Sequence, residues 1–152
     1  MNIFDELSDI YFEIDNDYTI IEAEARSRGH YRKEEKYKRK KELNDQAYFL
    51  FMFTRLEDRI RELSNELIDE KYTKLRNWNY KRTWDILHKR KENINLLDRV
   101  ALLTELGQAD YNLIERYYQQ RNKIGHGKSF TITINIATVV NDMQRLYKDL
   151  QY

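Results

Sequence analysis

Phe49-Leu50-Phe51-Met52-Phe53-Thr54-Arg55-Leu56-Glu57-Asp58-Arg59-Ile60-Arg61-Glu62-Leu63-Ser64-Asn65-Glu66-Leu67 places Phe49, Phe53, Leu56, Ile60, Leu63 and Leu67 at alternating spacings of four and three. That is the period of one face of an α-helix, and charged residues occupy the other faces. Glu57, Arg59 and Glu62 read as a solvated face. Leu50, Phe51 and Met52 widen the apolar face near its start, so this part is expected to be covered from more than one direction. A stripe of this length needs helices to pack against, and the helix is read as the central one.

On its N-terminal side, Leu7, Tyr11, Ile14, Tyr18, Ile21 and Ala25 repeat the same spacing, which predicts one amphipathic helix from Ile3 to about Arg28. Its outer face is acidic, with eight Asp and Glu and no Lys or Arg up to Ala25, so it repels phosphate. Gly29 is a natural stop. The following run, Tyr31 to Lys41, is crowded with cations and has almost no apolar face; it reads either as a loose connection or as the solvated first turns of the central helix.

On the C-terminal side, Lys71 to Lys91 is basic and aromatic, with Tyr72, Trp78, Tyr80 and Trp84 among Lys74, Arg76, Lys81 and Arg82. Such groups stack on bases and meet phosphates, but tryptophans beside a helical bundle more often fill its gaps, and that reading is preferred here. Thr83 is a candidate cap for a short helix to about Lys91. Asn93 or Asn95 would cap a second one that buries Leu97, Val100 and Leu103 before Gly107. Asp110 would cap a helix carrying Ile114, Tyr117, Arg121 and Ile124. Phe130 to Ile134 alternates threonine with apolar residues and reads as extended or a short strand. Asn135 would cap a last helix with Ile136, Val139, Val140, Met143, Leu146, Tyr147 and Leu150 on its packing face.

The chain has no proline and four glycines in 152 residues, which removes the usual helix breakers. The fold expected is all-α: a four-helix bundle with one or two additional short helices, forming a single domain over residues 1–152. With no cysteine, thiolate metal sites and cysteine nucleophiles are excluded. His30 and His88 have no neighbours at ligand spacing and read as surface residues, so no metal site or cofactor is expected. The net charge of +1 does not by itself announce a polyanionic partner. No basic leader with an apolar run behind it and no membrane-length apolar segment is present, so the expectation is a cytoplasmic protein with no membrane partner.

The best candidate for chemistry is Arg121-Asn122-Lys123-Ile124-Gly125-His126-Gly127, just ahead of the last helix. Arg121 is in step with Ile114, Tyr117 and Ile124, which puts a cation on a packing stripe. Arg121 and His126 are five apart, about 140° around a regular helix. If the helix stops near Gly125, the glycines permit a left-handed turn that swings His126 back toward Arg121.

An arginine, a polar residue, three more positions and a histidine, flanked by glycine ahead of the last bundle helix, resembles the signature of the HEPN superfamily, matched here by Arg121, Asn122 and His126. The resemblance covers the helix order of the whole domain, and its residue-level specificity rests on this heptapeptide. It implies a metal-independent endoribonuclease, acting as a homodimer whose two motifs form one composite cleft. His126 would be the general acid or base, Arg121 the phosphoryl clamp and Asn122 the residue that orients the pair. Lys123 and Lys128 would contact RNA phosphate. Some members are toxins silenced by modification of a tyrosine two positions beyond the histidine. Lys128 stands there in this chain, which argues against that particular partner but leaves another antitoxin or regulatory protein, or an antiviral role, compatible. Two other functions fit the same residues: a non-catalytic module that binds RNA or protein, and a structural adaptor in which Arg121 pairs with a carboxylate such as Glu57 or Glu62 and His126 only closes a helix end.

Overall fold

The computed structural model describes residues 3–151; the outermost positions of the 1–152 domain expectation, Met1, Asn2 and Tyr152, lie outside them. Among these described residues six α-helices follow one another: α1 (Ile3–Ser27), α2 (Tyr31–Lys74), α3 (Trp78–Lys89), α4 (Leu96–Leu103), α5 (Ala109–Gly125) and α6 (Ile136–Asp149), with a 3-10 turn at Lys91–Asn93. No strand occurs among the described residues, so the fold is an all-α bundle. Phe130 to Ile134, the candidate strand, is irregular. Alternation over five residues is no use to a strand that has no neighbour to pair with.

Two units partition the chain, and α2, α5 and α6 each contribute residues to both. The first comprises Met1–Phe53 and Gln120–Gln144. Within it α1 and the first half of α2 form an antiparallel hairpin. The α1 helix ends at Gly29, whose φ of 66° is left-handed, and His30 N–H returns to Ala25 O at 2.8 Å. Arg26 Nε then reaches Glu34 at 2.6 Å, the Tyr18 and Tyr37 rings meet edge to face at 5.7 Å, and Tyr11 meets Tyr48 at 5.3 Å. These contacts settle the two readings of the basic run: Tyr31 to Lys41 is the solvated beginning of α2. Lys40 lies 4.5 Å from the Tyr37 ring centroid, a use of a basic side chain that needs no apolar face. The core of this unit includes Phe4, Tyr11, Phe49, Met52, Phe53, Val139 and Met143. Phe51 is 60 % exposed, so the widened apolar face is covered at Met52 but open at Phe51.

Inside the hairpin the Tyr11 hydroxyl donates to Asp45 Oδ1 at 2.7 Å. Burial pushes the Asp45 carboxyl above its ordinary value; the Tyr11 hydrogen bond opposes this, Asp15 and Glu42 add to it and Lys41 offsets it. The Tyr11 phenol is raised as well, by burial first and then by Asp45. A carboxyl raised by folding contributes stability at low pH that is lost as pH rises through its folded pKa. Asp45→Asn keeps an acceptor for Tyr11 and removes the desolvated charge. The variant is expected to be at least as stable as the parent at pH 7, and to lose this group's share of the decline in Tm as pH rises from the ordinary carboxylate range. A variant clearly less stable than the parent at pH 7 would refute the assignment.

The second unit comprises Thr54–Gln119 and Arg145–Tyr152. Leu56, Ile60, Ile68, Val100, Ile114 and Leu146 are fully buried in it. Together with Phe49 and Phe53 of the first unit, Leu56, Ile60, Leu63 and Leu67 are buried along the whole predicted stripe. Arg59 departs from the solvated-face reading: its guanidinium lies 5.7 Å from the Tyr147 ring, and its Nε is buried without a hydrogen-bond partner among the described residues.

Helix starts differ in detail from the expected ones. Asn77, not Thr83, caps α3, accepting from Asn79 N–H at 2.9 Å; Thr83 lies inside the helix. Asn95 caps α4 by accepting from Asp98 N–H at 2.9 Å, and that helix ends at Thr104, well before Gly107. Of the three residues expected to be buried there, Val100 is buried while Leu97 and Leu103 are half-buried. Asp110 is the second residue of α5 and accepts from Arg145 at 2.7 Å. Asn135 caps α6 as expected, accepting from Thr138 N–H at 3.1 Å.

Candidate functional site

All five sequence-selected residues belong to the first unit, at the C-terminal end of α5 and in the loop that follows. Arg121, Asn122 and Lys123 are half-buried on the last turns; His126 and Lys128 are exposed. Arg121 Nη1 lies 3.4 Å from Asn122 Oδ1, a long hydrogen bond that holds the amide beside the guanidinium.

The helix closes differently from the sequence reading. Gly125 is its last residue, and Gly127, at φ 75°, is the left-handed one. Gly127 N–H returns to Ile124 O at 2.8 Å and Lys128 N–H to Lys123 O at 3.0 Å, the paired bonds of a glycine-terminated helix. His126 is therefore the C-cap residue, and its N–H still points to Asn122 O at 3.1 Å. The chain reverses after the histidine and not before it, so the backbone does not swing His126 back at Gly125. The imidazole is exposed and has no hydrogen-bond partner among the described residues. Helix closure is done by backbone N–H groups, which leaves the ring nitrogens available to a ligand.

Gln120, which the sequence reading passed over, organises the loop. It is 2 % exposed, its Oε1 accepts from Thr131 N–H at 3.0 Å, and its amide and the Thr131 hydroxyl lie 3.2 Å apart. Lys123 Nζ donates to the same hydroxyl at 2.6 Å, so one of the two lysines assigned to phosphate is partly engaged by the loop. Phe130 packs edge to face on Phe49 at 5.3 Å. The buried polar position on this turn of α5 is therefore Gln120, with Arg121 beside it and half-buried. The signal was present, since Gln120 stands three after Tyr117 and four before Ile124, on the buried stripe itself.

A cavity of about 250 Å³ in this unit is lined by Glu42, Asp45, Gln46, Ser129 and Phe130. Two carboxylates in its wall make it a poor place for phosphate. The cations of the candidate site stand instead on the last turns of α5 and in the loop after it, where Arg121, Lys123 and Lys128 accompany the exposed His126.

Outside this cluster the aromatic residues of α3 depart from the gap-filling reading. Trp78 is 63 % and Tyr80 70 % exposed, while Trp84 is half-buried. His88 is not a plain surface residue: it stacks on Tyr72 at 4.1 Å and lies 3.5 Å from Asp69. Among the described residues no helix is long and apolar enough to cross a membrane. Compared with known proteins, the chain matches no family model, no curated protein and no solved structure.

Proposed function

We propose that this chain is an endoribonuclease of the HEPN type, cleaving RNA without a metal ion at a composite site in a homodimer, inside the cell, in defence or growth control under an antitoxin or other regulatory protein. The observation that supports the reading is the end of α5: Arg121 beside Asn122, about one turn before an exposed imidazole with no hydrogen-bond partner among the described residues. In the reaction the ribose 2′-oxygen bonds to phosphorus as its proton passes to an imidazole, and the bond to the 5′-oxygen breaks as that oxygen is protonated. Arg121, permanently charged and able to make two parallel contacts, stabilises the extra negative charge on the phosphoryl oxygens. Asn122 holds the guanidinium in place, and Lys128 adds charge for the flanking phosphate.

Incubating the purified protein with single-stranded RNA in EDTA tests this. The expected products carry a 2′,3′-cyclic phosphate, or the 3′-phosphate it hydrolyses to, and a 5′-hydroxyl, while DNA of the same sequence stays intact for want of the nucleophile. Cleavage of DNA, or a 5′-phosphate on the product, would rule the mechanism out. The exposure of Trp78 and Tyr80 favours a second reading, a module that binds nucleic acid without turnover; tight binding with no product under any condition is its signature.

A further inference from the structure

Within the first unit, the hairpin of α1 and the first half of α2 leaves one of its sides open. On α1, Ile3, Ile10, Asp17 and Glu24 stand seven apart and form one line along the helix, drifting by about 20° per step. All four are exposed. On α2, Lys33, Lys40 and Ala47 form a line of the same kind, flanked by Lys36, Leu43 and Phe51. Ile10 is 42 %, Leu43 48 % and Phe51 60 % exposed. Asp17, Glu24, Lys33 and Lys36 have no ion pair among the described residues. Both lines lie on the same side. Ile10 is turned about 100° from Tyr11, which meets α2, while Asp5, which accepts from Gln144 of α6, is turned about 120° in the other sense. Ala47 is turned about 100° from Tyr48, which meets α1, while Phe49, which packs on Phe130, is turned as far in the other sense. In an antiparallel pair of right-handed helices equal senses point to one side, so both lines face away from α6 and from the loop after α5.

From N to C the α1 line is apolar and then acidic, and the α2 line is basic and then apolar. Because the helices run antiparallel, the acidic half lies beside the basic half and the two apolar halves lie together. A nucleic acid or an anionic membrane is attracted by Lys33 and Lys36 but repelled by Asp17 and Glu24. A surface that carries the same two lines in exchanged places satisfies both, and a two-fold axis along the hairpin supplies it. A second copy turned about that axis lays its α1 antiparallel on the α2 of the first. The levels are those of the pairs within one chain, Tyr11 with Tyr48, Tyr18 with Tyr37 and Arg26 with Glu34. Ile10 of one copy then falls on Ala47 of the other, Ile3 near Phe51, Asp17 at Lys40, and Glu24 at Lys33 and Lys36. We infer that the open side of this hairpin is a self-complementary interface between two copies of the chain, held by its apolar half and set in register by its charged half. It is separate from the cleft proposed for Arg121 and His126, whose loop meets α2 through Phe130 and Phe49 on the other side of the hairpin.

Sedimentation velocity of the full chain over a range of concentrations tests the interface. Leu43→Glu combined with Phe51→Glu puts carboxylates into the apolar half and is expected to weaken self-association by about tenfold or more, leaving a monomer, or a dimer if the copies also meet at the motif. Lys33→Glu combined with Lys36→Glu sets like charges against Glu24 and is expected to weaken it by about tenfold. Adding Asp17→Lys and Glu24→Lys should restore most of the association, because every reversed pair is again opposite in sign. The substituted side chains are exposed, so the fold stays intact, which circular dichroism verifies. A parent chain that stays monomeric at the highest concentration reached, an assembled mass indifferent to Leu43→Glu with Phe51→Glu, or combined reversals that associate no better than the lysine reversals alone would each overturn the inference. Cleavage of RNA by the parent without rescue by the charge exchange removes this interface alone. Rescue by the exchange without cleavage by the parent removes the proposed enzyme alone.

Discussion

His126→Ala is expected to lower RNA cleavage by about 10²–10⁴-fold, the contribution of a positioned general acid or base, with folding stability changed by no more than about 0.5 kcal/mol, as for other surface substitutions. The second half of that expectation follows from the structure. The imidazole is exposed and bonded to nothing among the described residues, while the helix is closed by backbone N–H groups that alanine also has. Arg121→Ala should cost about 10²–10³-fold, by analogy with loss of one donor to a developing oxyanion. Arg121→Lys should recover only part of this, because an ammonium keeps the charge but not the paired contacts. Arg121 is half-buried and makes contacts of its own, so its variants need a thermal melt beside the assay. Cleavage at the parental rate by His126→Ala protein would move the chemistry elsewhere. A loss that follows the melting temperature rather than the side chain would make the motif structural.

The helices were legible because burial has a period. The stripe from Phe49 to Leu67 and the face from Ile136 to Leu150 carry three- and four-residue spacings that any packing partner enforces. What the sequence left open was decided by partners far along the chain. The basic run from Tyr31 to Lys41 has no apolar face of its own, and its place in α2 is set by Glu34 meeting Arg26 and Tyr37 meeting Tyr18. Thr83 was a candidate cap for α3, whereas Asn77 supplies the hydrogen bond, accepting from Asn79 N–H. In the candidate site the residue types and the helix end near Gly125 were readable. The position of the reversal was not, because two glycines flank His126 and only the backbone shows that Gly127 takes the left-handed conformation. Gln120 was missed although it stands on the buried stripe, because the partner that satisfies its amide, Thr131, is eleven residues further on and no local pattern reveals it.

Arg99→Ala is the substitution expected to cost most in stability. Arg99 is 4 % exposed and is held wholly by neutral groups: Ser64 Oγ and Asn65 Oδ1, each at 2.8 Å from Nη1, Ile94 O at 3.1 Å from Nε, and Lys91 O. Burial, and then the neighbouring Arg61, hold its pKa below the ordinary arginine value, with Glu92 acting the other way. Four hydrogen bonds from one planar group bind the segment before α4 to two side chains of α2, a span no other side chain reproduces. Alanine leaves those acceptors unpaired beside a cavity, at a cost of about 3 kcal/mol or more, which for a chain of this size is a fall in Tm of about 6–12 °C. Arg99→Met separates the two contributions, since it fills most of the volume and pairs none of the acceptors. A buried ion pair can often be replaced by apolar residues without loss, because both charged partners leave together. Here the acceptors are backbone carbonyls and α2 side chains that stay behind, so methionine should remain clearly destabilised, by about half the alanine cost on the price of unpaired buried acceptors. Lysine, with three donors on a flexible stem, should fall between methionine and the parent. Thermal unfolding followed by circular dichroism ranks the four proteins, and a methionine variant as stable as the parent would show that the neutral cradle contributes nothing beyond packing.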